Sequence, residues 1–173
     1  MIDSYFLGMY WGVRQENLEV CSTKLYNTFY FLKEFDVSFK EWYKTNKPRK
    51  GQIVGPIASD LQSLKSLLIK GQNLNDLGGI LEDLGYLVHV KSCKDYSKAH
   101  ILSISCGSYF KQVSNSVTLN IGGNENYKNL MNVEVLKKLF FGLADIWHPK
   151  SGRIKCNEDE LFSKTFLSAR FDS

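Results

Sequence analysis

Three stretches between residues 86 and 121 alternate apolar and polar side chains with a period of two, and they constrain the fold more than any other feature. Tyr86, Val88 and Val90 alternate with Leu87, His89 and Lys91. Leu102, Ile104 and Cys106 alternate with Ser103 and Ser105, and Val117, Leu119 and Ile121 with Thr118 and Asn120. Successive side chains of a strand point to opposite faces, so each stretch has one apolar face to bury. Short connections join antiparallel neighbours, so these stretches predict an antiparallel meander.

The rest of the chain supplies a cover for that face. Residues 16–35 place Leu18, Cys21, Leu25, Phe29 and Leu32 three and four apart, which makes one apolar stripe along a helix. Ser59 and Gln62 have capping-box spacing. They lead into Leu61, Leu64, Leu67 and Leu68, a second helix stopped at Gly71. Residues 130–147 describe a third, with Leu136, Leu139, Phe140, Leu143 and Trp147 on one side and a stop at His148-Pro149. An aromatic first strand, Tyr5 to Trp11, precedes them all. Residues 44–56 and 72–85 read as loops. Past the third helix the sequence predicts one short strand-like piece, 153–156, followed by an acidic patch. Strands and helices are partly segregated, without a repeating βαβ pattern. The expected fold class is α+β: a mainly antiparallel sheet with helices packed on one face, forming a single domain over residues 1–173.

The residues of chemistry are scattered. His89, His100 and His148 form no HxH, HxxxH or HExxH motif, and Cys21, Cys93, Cys106 and Cys156 have no C-x2-C spacing. Cys21 and Cys106 fall on predicted apolar faces and read as core. The pairs Gly78-Gly79 and Gly122-Gly123 lack the flanks of a phosphate loop and read as turns. No catalytic residue, metal site or cofactor is expected. The start of the chain lacks a secretory pattern and no segment reads as a membrane span, so the expected location is cytoplasmic with reduced thiols.

Particular residues carry more than patterns do. Tyr10-Trp11-Gly12 closes the first strand and Arg14 follows. Trp42-Tyr43 opens a basic loop, Cys106-Gly107-Ser108-Tyr109 leads to Asn115-Ser116-Val117, and Asp145-Ile146-Trp147-His148-Pro149 ends the last helix. This ordered set resembles the immunity protein 52 family of bacterial polymorphic toxin systems, over most of the chain. The resemblance implies an α+β protein encoded beside a toxin, often a restriction-endonuclease-like nuclease, that works by binding its toxin. Family members continue past the last helix in strand-like sequence, whereas this chain stops at Ser173. The resemblance therefore carries no function onto residues 158–173.

Large tryptophans at element ends usually anchor cores, so Tyr10, Trp11, Gly12, Arg14, Trp42, Gly107, Asn115 and Trp147 are read as structural. Gly12 and Gly107 are expected to serve turns, and Asn115 to fix a loop through backbone hydrogen bonds. A nuclease toxin has a basic substrate groove, so an inhibitor's contact surface should be locally acidic. Asp76, Glu82, Asp83, Glu158, Asp159 and Glu160 are the candidate toxin contacts. Two other classes compete. Residues 42–50 join Trp42 and Tyr43 to four cations, a mixture that suits a nucleic-acid-binding module. A small enzyme with a site assembled in space would need a histidine or cysteine joined to a carboxylate in one pocket.

Overall fold

The computed structural model describes residues 4–45, 55–122, 125–159 and 162–171. The meander is there: β3 (Tyr86–Lys91), β4 (Ile101–Cys106) and β5 (Asn115–Ile121) pair in sequence, all antiparallel. The first strand, β1 (Ser4–Trp11), lies against β5, with Leu7 opposite Leu119 and Trp11 opposite Asn115. A two-residue strand, β2 (Tyr43–Lys44), extends one edge by pairing with β3.

The tail corrects the expectation. It forms a long hairpin of β6 (Ser151–Asp159) and β7 (Phe162–Arg170), and β6 pairs with the free side of β1. The sheet order is β2-β3-β4-β5-β1-β6-β7. Glu158 and Asp159 thus belong to the backbone of β6, while Glu160 lies outside the described residues. The described inward face of β6 carries Gly152, Ile154 and Cys156 between cations, and β7 is an edge strand with only Leu167 and Ala169, among its described residues, packed part-way against the core. Edge strands of soluble proteins carry charge to block further pairing, which hides them from an apolar-pattern reading.

One face of the sheet is buried throughout: Tyr5, Leu7, Met9, Val88, Val90, Leu102, Ile104, Val117, Leu119, Ile121 and Ile154 form it. Helices α1 (Leu18–Phe35), α2 (Leu61–Lys70) and α3 (Val133–Trp147) cover it, with α1 packed against both others. Each helix begins at a side-chain cap. Asn17 accepts from the Val20 amide, and Asn132 from that of Glu134. The cap of α2 is Asp60, not the expected Ser59, and its carboxylate accepts from both the amide and the hydroxyl of Ser63. A carboxylate answers the positive end of a helix better than a hydroxyl does. Among the described residues, no helix is long and apolar enough to cross a membrane.

Candidate functional site

Most of the marked residues converge on one end of the sheet, where β1 and β4 finish and β5 begins. Trp11 stacks on Trp147, with ring centroids 5.6 Å apart. The Trp147 indole N–H donates to the Thr28 hydroxyl at 2.8 Å, deep in the core. Arg14 lies over the Trp11 ring at 4.7 Å and donates to the carbonyls of Trp147 and His148, at 2.5 and 3.1 Å. It closes the carbonyl end of α3, where a cation is favoured by the helix dipole. Glu16 holds both Arg14 and Lys24 from below.

Asn115 is fully buried and ties three points together. Its Nδ2 donates to the carbonyls of Gly12 (2.8 Å) and Ser108 (2.9 Å), and its Oδ1 accepts from the Ser108 amide (2.9 Å). Gly107 beside it has φ of +76°, and a Cβ there would sit 2.8 Å from the Glu16 carbonyl oxygen, so glycine is required. Gly12 differs from the expectation: the space around it is open and its φ is not left-handed, so no turn demands it. Tyr10 sits on the uncovered face of the sheet beneath Arg153, 5.7 Å away. Trp42 alone lies elsewhere, at the opposite end beside β2, where it packs against Phe29 and Phe39. It is 1% exposed, so its ring is not available to stack on a base. Residues 46–50 of the basic segment fall outside the described residues.

The histidines serve the fold separately. His148 takes the left-handed conformation that ends α3, and His89 hydrogen-bonds Ser103 on the uncovered sheet face. His100 is buried between Phe39 and Tyr127. Its Nδ1 accepts from the Gly122 amide, so the proton lies on Nε2, which faces the Ser38 hydroxyl. Burial pushes its pKa down to about 4, against a weaker upward pull from Asp36. The unfolded chain takes up this proton near pH 6.5 while the folded chain refuses it until about pH 4. Stability is therefore full above pH 6.5 and should fall by roughly 3 kcal/mol between there and pH 4. Denaturant titrations of wild type and His100→Gln across that window check this, because the variant should lose that part of the slope. Cys21 and Cys106 lie together in the core, as expected, and the side-chain hydrogen bond between them, followed by burial, holds the Cys106 thiol well above its ordinary range.

Two concavities open at the braced end. A cleft of about 400 Å³ runs from Trp11 and Arg14 to Asp145 and His148. A polar groove of about 520 Å³ is lined by Glu16, Asn17, Gln72, Glu82, Tyr86 and Tyr109. Glu82 and Asp83 sit in a short 3-10 turn just before β3, and Asp83 is pinned there: its carbonyl accepts from the Tyr109 and Phe110 amides and the Ser108 hydroxyl. Asp76 is exposed on the preceding loop. No lysine or arginine lies within ion-pair distance of Asp76, Glu82 or Asp83 among the described residues. The structure thus brings three of the six candidate acidic residues to one end. It leaves Glu158 and Asp159 on the far side of β1, on a strand whose side chains there are not described.

Comparison with known proteins agrees with the residues that drew attention first. No curated protein matches the chain. Among solved structures the chain is similar to a Pseudomonas aeruginosa T6SS protein, PA0821, at 14% identity and a TM-score of 0.48, over 89% of this chain and 40% of that one. The family profile of immunity protein 52 matches residues 3–166, nearly the whole chain. The chain belongs to the immunity protein 52 family.

Proposed function

We propose that this protein neutralises a cognate secreted toxin by binding it in the cytoplasm, and that the toxin is a nuclease. Family membership supports the immunity role. The observation that carries the binding reading is the acidic set at the braced end, Asp76, Glu82 and Asp83, which has no ion pair among the described residues and lies beside a polar groove. A nuclease presents a basic substrate groove, and carboxylates that no described cation engages are suited to meet it. Occupying that groove excludes the nucleic acid and requires no chemistry from the inhibitor. The braces on Asn115, Trp147 and Arg14 keep the surface in one shape, which lowers the entropy cost of docking.

The test uses the toxin domain encoded beside this chain's gene. Its cleavage of nucleic acid should fall in proportion to added chain and vanish at one equivalent. Undiminished cleavage in molar excess of the chain contradicts neutralisation. A neighbouring toxin that cuts no nucleic acid, yet is inhibited, contradicts only the nuclease part.

A further inference from the structure

The loop between α2 and β3 displays apolar side chains where the fold gives them nothing to cover. Leu77 is 95% exposed, Leu74 59% and Ile80 53%. Singly exposed apolar residues are common, but three on one loop form a patch that calls for a partner.

The loop is built to hold that patch still. Leu74 and Ile80 face each other in an antiparallel bridge, and Gln72 and Tyr86 form another at the base. Asn75 organises the tip: its Oδ1 accepts from the amides of Leu77 (3.0 Å) and Gly79 (2.7 Å), while its backbone amide donates to the Gly79 carbonyl. Gly78 supplies the left-handed residue the turn needs, with φ of +80°. The Leu81 amide closes back onto the Asn73 carbonyl. An exposed leucine on such a frame has already lost most of the backbone freedom that binding would otherwise cost.

The surroundings say what kind of partner fits. Asp76 precedes the tip residue, and Glu82 and Asp83 stand at the return end, none of them ion-paired to a cation among the described residues. Acidic flanks repel the anionic surface of a membrane and attract a basic protein rim. We infer that residues 72–85 form the toxin-docking element, with Leu77 entering an apolar socket on the toxin whose rim carries lysine or arginine. This rests on the immunity reading and adds the contact residues to it. An apolar anchor surrounded by polar contacts that exclude water is the usual arrangement of a binding hot spot.

The experiment is calorimetric titration of the intact chain with the toxin domain encoded beside its gene. Leu77→Ala should weaken binding about tenfold and Leu77→Asp at least about thirtyfold, from the loss of one buried leucine and, in the second, the added cost of a desolvated charge. Thermal midpoints should be unchanged, since Leu77 is 95% exposed. Val37→Asp is the control: Val37 is 80% exposed but lies past the other end of α1, roughly 27 Å from its start by helix rise. It should bind as wild type does. Leu77→Asp binding within about threefold of wild type, less than 1 kcal/mol, overturns the assignment. So does an equal loss in Val37→Asp. Absence of binding by the wild-type chain overturns the immunity reading itself, and the docking element with it.

Discussion

Trp147→Ala should destabilise the protein by about 3–5 kcal/mol, the range for a large aromatic removed from a close-packed core. The residue is fully buried at the carbonyl end of α3. Its loss removes the stack on Trp11 and leaves the Thr28 hydroxyl without the indole N–H. That hydroxyl still donates to the Lys24 carbonyl, so it is not orphaned entirely. Trp147→Phe separates the two contributions. It keeps most of the apolar volume and gives up the hydrogen bond, so its cost should be about 1–2 kcal/mol. Urea denaturation checks both variants. A cost for Trp147→Ala below that of Trp147→Phe would contradict the packing described here.

Asn115→Ala should cost a comparable amount for a different reason. Little apolar area is involved. Two carbonyls and one amide at the end of the sheet lose a partner at once, and each buried polar group left unsatisfied costs about 1–3 kcal/mol. The Ser108 carbonyl keeps the Arg14 amide as a second donor, which reduces its share. The total should fall near 3–5 kcal/mol. Asn115→Asp is the sharper variant. It retains an acceptor for the Ser108 amide but aims a carboxylate at the Gly12 and Ser108 carbonyls, so it should be at least as damaging at neutral pH and partly recover as the carboxyl protonates. Equal stability of Asn115→Asp and wild type at pH 7 would contradict the donor role of Nδ2.

These two residues show what was legible in the sequence and why. The meander was readable because residues 86–121 alternate cleanly and face one core. The roles of Asn115 and Gly107 were legible from residue type, since an asparagine opening a strand and a glycine just after one commonly serve a turn. The hairpin of β6 and β7 was not readable. Its strands are charged, its inner face includes glycine, and one strand sits at the sheet edge, so burial no longer writes a pattern into the sequence. Gly12 was misread because a glycine needed for space and one that is merely tolerated look alike in a sequence. Leu74, Leu77 and Ile80 fall in the segment 72–85 that reads as a loop, and nothing in the sequence marks them as exposed. Leucine spacing cannot distinguish a residue that is buried by its own fold from one left exposed for a partner. Only the structure separates them, and it does so at the end carrying the acidic residues.

The braces and the loop therefore have separate parts in one account. Asn115, Trp147 and Arg14 hold the end of the sheet rigid. The acidic loop anchored there is the surface we assign to the partner. Co-expression tests that account most directly. Cells producing the toxin domain encoded beside this gene should survive when this chain is made with it and die when it is not. Death of cells that contain abundant, folded chain would contradict the central claim.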